Sequence, residues 1–400
     1  MGIYQKLGVR TVINAAGTLT RLGGSRLSPD VLDAMADASA SFVHIDELQA
    51  KAGEVIAGIT GAEAGYVATG AAAGLALGTA ACVVGMDVGA MDRLPDTTGM
   101  RNQVIVQKGH RNSYDHAIRS AGVHFVEVGY LGYPGAGGTM PWQIEEAITE
   151  RTAAIACPIF DTPGCLPLLV VAEIAHRHNV PVIVDAAAEL PPRANLRRFI
   201  EEGADLVVFS GGKAIGGPQA SGILAGRADL IASVALLHQD MDVRAETWNR
   251  RDLLDQSIVA GIPHQGFGRA MKVGREEIAG LVTALEIFAA GSDDVDFYSW
   301  SGLLDQIEHL ITGVDGIVCE RTGLPRSTKP LPLLRIEIVD AVPGAAYAVI
   351  NELLAGEPAI ALGESYAEHN TLIVNPHGLS ESEAVTVGSR LSDVLSRQRS

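Results

Sequence analysis

Between residues 103 and 210 short apolar runs alternate with helical stretches: QVIVQ, a helix over 114–121, HFVEVG, a helix over 142–150, TAAIACPIF, a helix over 168–178, VPVIVDA, a helix over 195–202, and ADLVVFS. Runs of about five β-forming residues without polar alternation belong to strands buried on both faces. The helices between them let each strand return parallel to the last. The pattern predicts an α/β chain built on a mostly parallel central sheet.

Upstream, Ser28-Pro29 reads as an N-cap followed by a first-turn proline, and apolar residues recur at helical spacing through VLDAMADASA and LQAKAGEVIAGIT. AGYVATGAAAGLALGTAACVV then brings an apolar run to Thr69-Gly70 and a helix of small residues. Downstream, GILAGR reads as a Gly-rich turn, RADLIASVALLHQDM as a helix, and AMKVGREEIAGLVTALEIFAAG as a long helix ending near Gly291. The remainder alternates strand-like GIVCERT, LPLLRIEIV and TLIVNP with amphipathic helices near 344–355 and 380–397. The expected organisation is an N-terminal segment over 1–60, a large domain over 61–291 and a small α+β domain over 292–400.

Composition narrows the partners. Asp and Glu total 47 against 30 Lys and Arg, a formal charge of −17, which argues against binding a phosphate backbone as the main task. Cys82, Cys157, Cys165 and Cys319 show no CxxC spacing and read as free thiols in a reducing compartment. The N-terminus carries no recognisable signal peptide, and the low-charge stretch 68–86 is rich in Ala and Gly, as suits a buried helix better than a membrane span. The cytoplasm is the expected location.

Open α/β sheets bind ligands at the C-terminal ends of their strands. Thr69-Gly70, His110, Asp185 and Lys213 all fall at such ends. Asp185 alone reads equally as an N-cap, and Lys213 alone as a solvated turn residue. Together, separated by the single strand ADLVVFS, they can face one pocket. A pyridoxal phosphate site needs this pairing: a lysine for the Schiff base and a carboxylate to keep the pyridine nitrogen protonated. Thr69, Gly70 and Ala71 offer a hydroxyl and backbone N–H groups at a helix start for the phosphate, and Ser210 a further hydroxyl. Tight helix packing is the other reading of 69–74. The glycines match neither GxGxxG at a first strand-to-helix turn nor the GK[ST] ending of a P-loop.

DAAAELPP followed by GADLVVFSGGKAIGGPQASGILAGR resembles fold-type I pyridoxal phosphate enzymes of the selenocysteine-synthase-like group, closer to its D-glucosaminate-6-phosphate ammonia-lyase branch than to bacterial selenocysteine synthase. The likeness extends from VINAAGTLTRLGGSRLSP through PHQGFGRAMKVGREEIAGL to NPHGLSESE. It implies Lys213 as the cofactor-bearing lysine and Asp185 as the pyridine partner. His110, Tyr114 and His116 are the candidates to stack on the ring, with His110 favoured as nearest the strand end. Asp161 stands where related enzymes often carry an asparagine near the cofactor's O3′. Arg269 and Lys272 lie in a segment that in related enzymes reaches a neighbouring subunit's site, which implies a homodimer or higher homo-oligomer. Arg21, Arg26 and Arg335 are further candidates for the substrate carboxylate. An unpaired charge at Arg335, inside an apolar strand, is costly.

The implied reaction is β-elimination from a hydroxylated amino acid or amino sugar acid, releasing ammonia and a 2-keto acid. Racemisation is open to the same cofactor. Selenium transfer to a seryl-tRNA is disfavoured by the acidic balance, and a non-catalytic scaffold by the presence of both Lys213 and Asp185.

Overall fold

The computed structural model describes residues 2–131, 138–159, 162–238, 243–263 and 266–397. After a short helix, Ile3–Lys6, the first strand is β1 (Val12–Ala15). Seven strands then form one sheet: β2 (Ala64–Ala68), β3 (Gln103–Gln107), β4 (His124–Val128), β5 (Thr152–Pro158), β6 (Val182–Asp185), β7 (Leu206–Ser210) and β8 (Gly222–Gly226). Four more follow, β9 (Ile317–Thr322), β10 (Leu333–Ile338), β11 (Ala359–Leu362) and β12 (Thr371–Val374).

The large sheet has the order β2-β8-β7-β6-β5-β3-β4. Five neighbouring strands, β7-β6-β5-β3-β4, run parallel, as the alternation of runs and helices predicts. β8 runs antiparallel to both of its neighbours. Here the expectation of a turn at GILAGR is corrected: Gly222–Gly226 is a strand whose five residues are all buried. Its terminal glycines are where other chain crosses closely. A Cβ on Gly222 would lie 2.4 Å from the carbonyl carbon of Gly70, and one on Gly226 would lie 2.0 Å from the Asp205 carbonyl oxygen.

Both faces of the sheet are covered. Val184, Val207 and Phe209 pack on the side of helices Ile45–Thr60 and Leu168–Arg177, while Ile183, Leu206 and Val208 pack against helices Ala71–Val84 and Ala228–His238. Each fully buried aliphatic or aromatic side chain contributes roughly 1.5–3 kcal/mol. Helix Ala71–Val84 approaches closely because it is made of small residues. Gly74 and Gly78 leave no more than contact distance to Val208 and Leu206. At helix Pro29–Ser39, Ser28 caps as expected, its hydroxyl accepting the Val31 N–H at 3.4 Å.

The chain divides into two compact units. One holds Leu27–Leu190 and Ala194–Ala289, and with them the large sheet. The other holds the chain up to Arg26, Pro191–Arg193 and everything from Ala290 on. In that smaller unit β12-β10-β9 form an antiparallel sheet, and β1 pairs in parallel with β11, Val12 opposite Ala359 through Ala15 opposite Leu362. The stretch read from sequence as one N-terminal segment, 1–60, is thus shared: helices Pro29–Ser39 and Ile45–Thr60 lie in the large unit. Among the described residues no helix is long and apolar enough to cross a membrane.

Candidate active site

Strand register brings the marked residues to one edge. Ala68 and Ser210 both stand opposite Gly222, Asp185 opposite Val208, and Pro158 opposite Asp185. The C-terminal ends of β2, β7, β6, β5 and β3 therefore lie along a single line, with neighbouring strands about 4.8 Å apart. Thr69-Gly70, Ser210, Lys213, Asp185 and His110 all emerge there.

Asp185 ends a strand whose first three residues are buried. Its Oδ1 accepts the Ala187 N–H at 3.1 Å, so it does cap the turn that follows. Burial nonetheless dominates and lifts its carboxyl above the usual range, against that hydrogen bond and the attraction of Lys213.

Lys213 sits in a loop that is folded back on itself. The Gly211 N–H donates to Ser221 O at 2.9 Å, Gly217 N–H to Gly211 O at 2.9 Å, and Gly216 N–H to Lys213 O at 3.0 Å. A Cβ on Gly211 would come within 2.2 Å of Ser221 Oγ, and one on Gly212 within 2.5 Å of Gln219 Cα. The glycines are there for close packing. That packing leaves the lysine half-buried, and desolvation pushes its amine below the ordinary lysine range while Asp185 and Glu189 pull the other way. A depressed lysine is a better nucleophile and base at neutral pH.

His110 closes a 3-10 turn, Lys108–His110, and is 5 % exposed. Asn112 Nδ2 donates to its carbonyl at 3.0 Å. Burial pulls the imidazole below its ordinary value, and its Nδ1 has no hydrogen-bond partner among the described residues. Tyr114 and His116, the other ring candidates, are exposed. At the far end of the line, helix Ala71–Val84 starts without an acidic residue or a side-chain cap. Gly70 has φ 130°, and a Cβ placed on it would meet nothing within 4 Å. The 14-residue helix thus begins with no side chain of its own at its first N–H groups, and there is open space beside Gly70.

The remaining candidates divide between the two units. Arg269 and Lys272 line a cavity of about 780 Å³ in the large unit with Tyr66, His238 and Trp248, and the lining includes none of Thr69, His110, Asp185 or Lys213. His238 anchors their segment: its Nε2 contacts Met271 O at 2.8 Å, which leaves Nδ1 to accept from the Tyr66 hydroxyl at 2.8 Å. Arg21, Arg26 and Arg335 belong to the smaller unit. Arg21 pairs with Glu364 and Arg26 with Glu383, at 2.8 Å for the second. Arg335 is 3.7 Å from Glu320 and lies over the Tyr366 ring at 4.9 Å, so its charge is not the lone one that its strand suggested. Asp161 lies outside the described residues. Glu189, a residue that the reading of the sequence passed over, is 8 % exposed on the turn after Asp185. Its signal was present as the only acid in AAAELPP.

A sheet edge that pairs a depressed lysine with a raised carboxyl is the architecture of a pyridoxal phosphate enzyme of fold type I, and solved structures of that fold superpose on nearly the whole chain. The chain belongs to the SelA family, described as L-seryl-tRNA selenium transferase, which matches residues 12–244. It is 32% identical to D-glucosaminate-6-phosphate ammonia lyase of Salmonella typhimurium, over 98% of this chain and 97% of that one. It is 34% identical to a 5'-C-glycyluridine monooxygenase-decarboxylase of a Streptomyces species, over 98% of this chain and 92% of that one. A solved structure of D-glucosaminate-6-phosphate ammonia-lyase superposes with a TM-score of 0.81 at 31% identity, covering all of both chains. The protein is a pyridoxal-phosphate-dependent lyase of the ammonia-lyase type. The residues fit the cofactor: a raised carboxyl suits a pyridinium N–H, an orphaned imidazole edge suits a ring beside it, and an open helix start suits a phosphate.

Proposed function

We propose that the protein removes ammonia from a hydroxylated amino acid or a 2-amino sugar acid, such as D-glucosaminate or its 6-phosphate, by β-elimination to a 2-keto acid. The observation that carries the chemistry is the pairing of Lys213 with Asp185 across adjacent strands, each displaced by burial from its ordinary titration. The full-length likeness to an ammonia lyase supports the reaction type.

When bound, the cofactor supplies an electron sink for charge that develops at the substrate's α-carbon. Lys213 Nζ is the amine that would hold the cofactor and the base placed to take the substrate's α-proton. The Asp185 carboxylate would hold a proton on the ring nitrogen through a charge-assisted hydrogen bond. His110 would pack its ring against the cofactor. Thr69, Gly70, Ala71 and Ser210 would hold its phosphate. Arg269 and Lys272 serve a neighbouring subunit's site in a homodimer or larger homo-oligomer, where Arg21 and Arg335 are further candidates for substrate anions. With a charge of −17 the protein is expected to take no nucleic acid partner, and it works in the cytoplasm.

The test is a panel of D- and L-hydroxy amino acids and amino sugar acids, with and without phosphate, followed for ammonia and keto acid together. Equal yields of the two are expected. Substrate recovered with deuterium at the α-carbon and no ammonia, for every member of the panel in deuterated water, assigns racemisation instead. Oxygen uptake with carbon dioxide release assigns the reaction type of the Streptomyces relative.

A further inference from the structure

Strand β3 ends on a buried amide. Val104, Ile105 and Val106 are core residues, and Gln107, 1 % exposed, lies as deep as they do. Burying a side-chain amide is costly unless its donor and acceptor are both met. Here one residue meets them. Gln107 Oε1 accepts the Leu166 N–H at 2.6 Å, and Gln107 Nε2 donates to Leu166 O at 3.1 Å. The side chain thus binds both backbone groups of a residue in the connection that follows β5, the parallel neighbour of β3.

Gln107 is also the point at which the strand becomes the turn that carries His110. It stands immediately before the 3-10 turn Lys108–His110, whose closing bond, Arg111 N–H to Lys108 O, is 3.3 Å long. A single turn of this kind has poor hydrogen-bond geometry and does not hold its place alone. The connection after β5 supports it. Thr162 Oγ1 donates to Gly109 O at 3.4 Å. A Cβ on Gly109 would lie 2.7 Å from Cys165 Sγ and 2.8 Å from Thr162 Cγ2, so the turn rests directly on those two residues. The same connection starts from the site as well, where the Ile159 N–H donates to Asp185 O at 3.0 Å.

We propose that Gln107 is a positioning residue for His110, its clasp on Leu166 setting the height and angle at which the imidazole meets the cofactor ring. The inference rests on the reading of His110 as the side chain packed against that ring. An aliphatic residue would fill the core at this position, as the three before it do. Apolar contact is non-directional, however, whereas two hydrogen bonds to one residue fix both a distance and an orientation. Contact between flat rings depends on both. The amide therefore acts three residues along the chain, through the turn it anchors, and itself touches neither cofactor nor substrate.

The test is a double-mutant cycle read as the dissociation constant of pyridoxal phosphate, with the visible circular dichroism of the bound cofactor as a second readout. Gln107→Met keeps the length of the side chain and removes both bonds. It is expected to weaken cofactor binding about 10-fold and to diminish the visible dichroic band. In a His110→Ala background the same change is expected to weaken binding less than about twofold, because no ring is left to place. Gln107→Glu keeps the acceptor for the Leu166 N–H and, when ionised, loses the donor, so its effect is expected to fall between. Near-ultraviolet circular dichroism establishes the fold of each variant, and the Glu variant carries the same cycle if the Met variant does not fold. Equal losses in the two backgrounds, or no loss in the parent background, overturn the proposal. A His110→Ala protein with the affinity and dichroism of the parent overturns the reading of His110, and this inference with it.

Discussion

Asp185 and Lys213 are opposite in charge and displaced in opposite directions by the same cause, burial. A carboxyl raised in the folded state weakens the cofactor-free protein as pH rises through its titration, and a lysine lowered in the folded state weakens it as pH falls through its own. Asp185→Asn removes the first penalty. It is expected to raise the melting temperature of the cofactor-free protein at neutral pH, yet to cut turnover of the holoenzyme roughly 10²–10⁴-fold, the range that loss of a proton-holding group costs. Calorimetry and steady-state kinetics on the same preparations check both signs. A variant as active as the parent leaves Asp185 as a turn cap only. The depressed amine makes a second demand: cofactor uptake by the stripped protein accelerates with pH and levels off below the ordinary lysine value of about 10.4, as stopped-flow absorbance would record. These two residues were legible because a polar residue closing an apolar strand, and a lysine among glycines, each break a pattern. Glu189 was not, because its burial depends on how the turn after Asp185 folds, and an isolated acid before two prolines reads as a surface residue.

Among the elements, β8 carries the plainest lesson. Glycines at 222 and 226 read as turn punctuation, whereas they mark the two places where other backbone lies against the strand. Runs such as VPVIVDA were legible because their side chains announce burial from both faces. GILAG was not, since close approach of a helix start and a crossing strand selects for the absence of side chains. Gly222→Ala is therefore expected to push the first turn of helix Ala71–Val84 off the sheet. The expected cost is about 1–3 kcal/mol of stability, with weaker cofactor retention on dialysis. Gly58→Ala is the control of opposite sign. Gly58 lies inside helix Ile45–Thr60, a Cβ there meets nothing within 4 Å, and the change is expected to stabilise by about 0.5–1 kcal/mol. Thermal melts of the two variants moving in the same direction would remove the packing account of Gly222. The pair β1 and β11 was missed for another reason: four-residue strands that meet from positions nearly 350 residues apart leave no local trace.

At the scale of the whole molecule, the sequence offered five cations for anionic groups, and they divide between the two units: Arg269 and Lys272 in the larger, Arg21, Arg26 and Arg335 in the smaller. Arg269 and Lys272 are fastened by the Tyr66–His238–Met271 chain of hydrogen bonds to a cavity that excludes Lys213 and Asp185. The sheet edge itself sets Asp185 and Glu189 against Lys213, and a bound phosphate adds further negative charge. A site in that balance calls for outside cations, and in a symmetric dimer a surface that reaches a neighbour's site receives the same reach in return. If Arg269 acts across the interface, Lys213→Ala and Arg269→Ala subunits, each inactive alone, complement on mixing. A mixed dimer joins the intact Lys213 of one chain to the intact Arg269 of the other in one of its two sites. Random exchange of equal amounts makes half the dimers mixed, so about a quarter of parental activity is expected to return. Subunit exchange is verified by mass spectrometry of differently labelled chains. Exchange without recovery places Arg269 in the site of its own chain or in no site, and leaves the roles of Lys213 and Asp185 untouched.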